Sequence, residues 1–139
     1  ARIDACLASL PAGEEGVTVT VVVNGSTDRT AERVRSHEVV ELVEYERGGK
    51  ARSWNRFVLD DPRDADVFAF VDGDAQLVPG TVAALARALE ANPHANAASG
   101  LPMNGRRVKA YRRSIAAESG LFGDCYALSG GFVRSLARV

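Results

Sequence analysis

Phe68-Ala-Phe-Val-Asp-Gly-Asp-Ala-Gln-Leu-Val-Pro79 is the stretch that decides the fold. A short apolar run rich in Phe and Val reads as a buried strand. It stops abruptly at Asp72 and Asp74, one residue apart. A strand over residues 67–71 delivers both carboxylates at its carboxyl end, where open α/β sheets bind ligands. Gly73 lets the backbone turn between them. Two carboxylates held this close repel each other, and a divalent cation removes the conflict. Hard oxygen donors suit Mg2+ or Mn2+, and Mg2+ typically sits between one or two carboxylates and substrate phosphates. The plain alternative is an acidic turn at a strand end, because Asp and Gly are ordinary turn residues.

Helical and extended patterns alternate on both sides of this stretch, which argues for α/β with a largely parallel sheet. Residues 2–10 read as an amphipathic helix with Ile3, Leu7 and Leu10 on one face. Val17 to Val23 is a nearly all-apolar strand, as expected when both sheet faces are covered. Asn24-Gly25-Ser26 turns the chain, Ser26 or Thr27 can cap the next helix, and Asp28 suits its dipole. Ala31 and Val34 form that helix's inner side. Residues 39–45 read as a strand nearer a sheet edge. Ala51, Trp54 and Val58 then follow helical spacing, with Trp54 in the core. Pro79 opens a helix buried along Val82, Leu85, Ala86 and Leu89. Residues 95–99 and 125–128 are further strands, with a helix between them carrying Val108, Tyr111, Ile115 and Phe122. Gly130-Gly131 reads as a loop before a final short helix.

Bulk properties remove several function classes. The 139 residues suffice for one domain with a real core, and a single domain over 1–139 is expected. A net charge of -1 gives no whole-molecule attraction to nucleic acid. The longest apolar run, Val17 to Val23, holds two threonines and is far too short to span a bilayer. Cys6 and Cys125 are the only cysteines, too few for a disulfide framework or a zinc site. A reducing, cytoplasmic setting is the expectation.

Three further constellations could bear chemistry. Asn24-Gly-Ser-Thr-Asp-Arg-Thr30 follows a buried strand and so shares the sheet end of Asp72 and Asp74. Gly25 allows close backbone approach, and the Asn24 amide can both donate and accept; a well-capped strand-to-helix turn is the alternative. Gly48-Gly49-Lys50, with Asn55 beyond, exposes backbone N–H groups beside a lysine able to attract phosphate. It is no P-loop, since Glu44 and Ala51 stand where Gly and Ser or Thr are required. A solvated surface loop is its alternative. Arg106, Arg107, Lys109, Arg112 and Arg113 form a basic cluster, either a solvated face or a contact for phosphate. His37 and His94 lack metal-ligand spacing and read as surface residues. Glu118 and Asp124 are the late acidic residues near a strand end.

Together these segments resemble the family 2 glycosyltransferases. The resemblance rests on Asn24 to Thr30 as a (D/N)-G-S-x-D-x-T turn, and on Gly49, Lys50 and Asn55 as a G-K-x-x-A-x-N loop and helix. It rests also on Val67 to Ala88 as a strand, D-x-D and proline-started helix, and on Ala127-Leu-Ser-Gly-Gly-Phe132 as the later Gly-rich segment. Ser53 and Trp54 depart from the family's usual small residue. The resemblance implies a GT-A fold, a Rossmann-like three-layer sandwich with a mostly parallel sheet. It implies a UDP- or GDP-sugar as partner, an acceptor hydroxyl, and Mg2+ or Mn2+ held by Asp74 with Asp72. Asn24, Gly25, Lys50 and Asp72 would bind the substrate.

The same resemblance raises an expectation about completeness. Family members carry an initial strand ending in P-x-x-N-E and an acidic general base beyond the Gly-rich segment. Both fall outside 1–139, and Asp124 is the candidate base within it. An absent first strand would expose the face of Ile3, Leu7 and Leu10, and association into a homo-oligomer is expected from such an edge. Two rival functions stay open. A haloacid dehalogenase-like phosphohydrolase would use Asp72 as nucleophile and Asp74 as acid/base, although Gln76 stands where its pattern has Thr or Val. A nucleotide-sugar-binding module without a base would bind and not turn over.

Overall fold

Val19–Asn24 and Val40–Tyr45 form strands β1 and β2 in a computed structural model that describes residues 2–61, 63–104, 108–118 and 121–136. Both segments are rich in β-branched residues, whose stiff side chains pack well on a pleated surface. They pair in parallel, from Val19 opposite Val40 to Asn24 opposite Tyr45. Helices α1 (Arg2–Ser9) and α2 (Thr30–Arg35) bury their apolar sides against this pair. Leu7, Val23 and Val34 form the core there, with Ile3, Leu10, Val21, Ala31, Val40 and Leu42 packed around them. The face of Ile3, Leu7 and Leu10 is therefore covered and not exposed. Leu7 is only 4% accessible, and its partners come from β1 and α2.

Contacts cluster into two compact units, Ala1–Arg63 with Gln76–Val78, and Asp64–Ala75 with Pro79–Val139. Within the first, helix α3 (Lys50–Asn55) runs directly into a π-helical turn, Arg56–Asp60. The buried residues of this stretch are Ser53 and Val58, while Ala51 is exposed and Trp54 half-buried. The wider i→i+5 turn shifts the helical phase, so the spacing of Ala51, Trp54 and Val58 does not mark one inner face. Ser9 ties the short returning segment into the same unit. Its hydroxyl donates to the Cys6 carbonyl at 2.7 Å and accepts from the Leu77 N–H at 3.0 Å.

The second unit is built on strands β3 (Val67–Val71), β4 (Ala97–Ser99) and β5 (Cys125–Ser129) in the order β3-β5-β4. The strand over 67–71 lies where the sequence puts it. Strand β5 runs antiparallel to both neighbours, so parallel pairing belongs to β1 and β2 within this mixed α/β fold. Ala127 and Leu128 are adjacent and therefore face opposite ways, yet both are buried. Both faces of β5 are thus covered, as its apolar sequence requires. Helix α4 (Thr81–Glu90) buries Leu85 and Leu89 on the expected stripe and contacts all three strands. Its N-cap is Gly80, and Pro79 precedes it.

Helix α5 (Val108–Glu118) leaves Tyr111 exposed and ends before Phe122, whose ring meets Tyr111 edge-on at 4.9 Å. Helix α6 (Gly130–Leu136) starts at Gly130 itself, with no loop at the glycine pair. The Gly130 N–H donates to the Asp66 carbonyl at 2.7 Å, and a Cβ at this position would lie 2.0 Å from the Ala65 carbonyl oxygen. Glycine is required there by close backbone approach. Among the described residues no helix is long and apolar enough to cross a membrane.

Candidate functional site

In the first unit, Asn24 ends β1 and its side chain is half-buried. Its Oδ1 accepts a hydrogen bond from the Gly49 N–H at 3.2 Å. The sequence leaves this side chain open to a ligand; the structure commits its oxygen to the glycine loop. Gly25 follows with φ +58, and its N–H donates to the Tyr45 carbonyl at 2.8 Å, extending the β1–β2 ladder by one rung. A Cβ on Gly25 would stand 2.6 Å from the Gly48 nitrogen. Two loops thus meet backbone to backbone at the carboxyl ends of parallel strands. Lys50, exposed, opens α3 directly after Gly49. Asn24, Gly25 and the loop bearing Lys50 are therefore brought together.

Neither Ser26 nor Thr27 caps α2, which starts at Thr30. Asp28 organises the turn instead. Its Oδ1 accepts from the Ser26 hydroxyl at 2.5 Å and from the Thr30 N–H at 2.9 Å. These bonds, Ser26 first, hold its carboxyl down at about 2.

In the second unit, Asp72 and Asp74 follow β3 immediately, Asp72 half-buried and Asp74 exposed. The Ala75 N–H donates to the Asp72 carbonyl at 2.9 Å, closing a β-turn around Gly73 and Asp74. Gly73 is not among the glycines with positive φ, so this turn needs no left-handed backbone. The Asp72 N–H donates to the Asp124 carbonyl at 2.9 Å. That bond continues the β3–β5 ladder past Val71 and Cys125. Three acidic residues named from the sequence thus gather at one sheet end. Cys125 beside them is buried, and burial together with the Asp124 charge pushes its thiol pKa up.

Other candidates fall elsewhere. Lys109, Arg112 and Arg113 lie exposed on α5, consistent with a solvated face. Arg106, Arg107 and the Glu118 side chain lie outside the described residues. His94 is exposed and His37 half-buried. Among the described residues no group of three His, Cys, Asp or Glu converges to hold a metal unaided.

One buried polar residue escapes sequence reading. Ser53 is 5% accessible, and its hydroxyl has no hydrogen-bond partner. A buried hydroxyl left unpaired costs about 1–3 kcal/mol. The departure of Ser53 and Trp54 from the usual small residue of the G-K-x-x-A-x-N loop and helix is the signal that marks it.

The chain covers 97% of its length, at TM-score 0.76 and 26% identity, against the mannosyltransferase PcManGT from Pyrobaculum calidifontis, solved in complex with GDP-Man and Mn2+. It spans 41% of that chain. No curated protein matches it. Residues 1–133 match the family described as glycosyl transferase family 2. This match takes in β1 to β5 and the acidic turn between them, and on it the chain belongs to glycosyl transferase family 2.

Proposed function

We propose that this chain forms the donor-binding part of a glycosyltransferase that takes a nucleotide-diphosphate sugar and passes the sugar to an acceptor hydroxyl. The observation that supports it most is the acidic turn closing directly on β3, with Asp72 braced to Asp124. Family membership and a structural relative holding GDP-Man and Mn2+ point the same way. GDP-mannose and UDP-sugars are both donors to test.

Asp72 and Asp74 offer hard oxygen donors, and no third protein ligand joins them among the described residues. Two carboxylates completed by substrate phosphate oxygens form the kind of set that suits Mg2+ or Mn2+, so these residues fit such an ion. When bound, it would offset diphosphate charge and ease departure of the nucleotide. Asp74, exposed in the turn, is the metal ligand in this reading, with Asp72 shared between metal and ribose. Asn24 and Gly25 position the nucleoside, Asn24 through its amide N–H groups, because its oxygen already holds Gly49. Lys50 supplies positive charge near the phosphates. Asp124 is the chain's own candidate for general base toward the acceptor hydroxyl. A cytoplasmic setting, in which Cys6 and Cys125 stay thiols, belongs to the same proposal.

Product analysis tests it. Incubation of the whole protein with nucleotide sugar, Mn2+ and a panel of hydroxyl acceptors should give glycosylated product and free nucleoside diphosphate. Phosphate release from phosphomonoesters, inhibited by fluoride-metal complexes and without sugar transfer, would instead favour the phosphohydrolase. Binding without any turnover would favour a non-catalytic module.

A further inference from the structure

The first unit holds a cavity of about 440 Å³ between the end of β2 and the helical stretch of α3 and its π-helical turn. It is lined by Glu44, Tyr45, Glu46, Arg47, Arg52, Ser53 and Arg56. None of it comes from Asp72, Asp74 or Asp124. Its charge is unbalanced. Glu44 is already paired with Arg35. Among the described residues Arg47, Arg52 and Arg56 make no ion pair. Glu46 can offset one guanidinium, which leaves two without a counter-charge.

The wall is built as well as charged. The Arg56 guanidinium lies over the Tyr45 ring, 4.4 Å from its centroid, which fixes the planar head at the cavity. Tyr45 is itself buried and held by the rung its carbonyl makes to Gly25. Ser53, whose buried hydroxyl has no partner, belongs to the same lining. Guanidinium forks match the paired oxygens of phosphate, and a hydroxyl adds a donor to a third. The cavity is in the size range of small-molecule sites, larger than a bare oxyanion needs.

We propose that this cavity is a second anion site, which takes an organic phosphate monoester on Arg52, Arg56 and Ser53, separately from the donor nucleotide. Arg47, also in the lining, leads directly into Gly48-Gly49, so an occupant would also steady the loop that Asn24 holds. The ligand's phosphate, not its organic part, is what the lining recognises.

Phenyl phosphate titrated into the whole protein, followed by calorimetry and by amide shifts in NMR, tests the proposal. Saturable binding is expected, with shifts at Tyr45, Arg47 and Ser53. Affinity should fall tenfold or more in R52A/R56A and two- to fivefold in Ser53→Ala. Asp74→Ala should leave it unchanged, and saturating nucleoside diphosphate should not displace it. Arg52 and Arg56 are both exposed, so the double variant should fold, which its melting curve checks. Arg56→Lys, which keeps the charge and loses the fork, should bind at an intermediate level. Absence of saturable binding would overturn the proposal. So would displacement by the nucleotide, since the cavity would then be part of the donor site.

Discussion

The Asn24 side-chain oxygen accepts the Gly49 N–H at 3.2 Å, joining the turn after β1 to the loop before α3. Asn24 thereby braces the loop through its oxygen, and the proposed function gives its amide nitrogen to the ligand. Asn24→Ala should cost about 1 kcal/mol of stability, the net worth of an ordinary hydrogen bond. It should weaken nucleotide binding about tenfold. Asn24→Asp keeps an acceptor for Gly49 and should recover the stability loss. Denaturant melts and nucleotide titration of both variants check this. A full-sized stability loss with unchanged affinity would leave Asn24 only its structural role.

Gly25→Ala should destabilise by roughly 2 kcal/mol or more, through left-handed strain and collision with Gly48. Gly16 has φ +75 but open space around it, so Gly16→Ala should cost less, about 1 kcal/mol. Chemical denaturation of the pair separates collision from strain. Equal losses would mean that the Gly48 contact yields easily.

Much of this was legible in residues alone, for identifiable reasons. Strand β3 declares itself because Asp66 and Asp72 bracket an unbroken apolar run. Leu85 and Leu89 declare α4 because a regular helix keeps its phase. The buried Ser53 was hidden because a π-helical turn follows α3 and breaks that phase. The start of α6 at Gly130 was hidden because its cause is the distant Ala65 carbonyl. The antiparallel entry of β5 and the Asp72–Asp124 bond are pairings between distant segments, which local pattern does not encode. Of the site, the residue types were readable and their hydrogen-bond partners were not.

The Asp28 carboxyl should titrate near 2, held down by Ser26 and the Thr30 N–H. A lowered folded-state pKa means stability present above the ordinary carboxylate range and lost as pH falls through the folded value. The loss should therefore run from about pH 4 down to about pH 2. NMR titration gives the pKa directly. Ser26→Ala should raise it, and a value unchanged near 4 in the parent would contradict the turn geometry.

Asp124 meets Asp72 through its backbone carbonyl, which any residue would supply. If that brace is its main contribution, Asp124→Asn should leave nucleotide affinity within twofold and lower kcat less than tenfold. A kcat loss beyond a hundredfold, with the acid limb of the pH profile lost, would make its carboxylate the general base. Steady-state kinetics across pH distinguishes the two.

In the proposed function, donor binding passes through Asp74 and a divalent ion. Calorimetry of GDP-mannose and a UDP-sugar with the whole protein, in Mn2+ and then in chelator, tests it most directly. Binding should be strong in Mn2+ for one of these donors and fall at least tenfold in chelator. Asp74→Asn, which keeps the shape and loses the charge, should fall as far even with Mn2+ present. Equal affinity with and without metal, or in Asp74→Asn, would contradict the account.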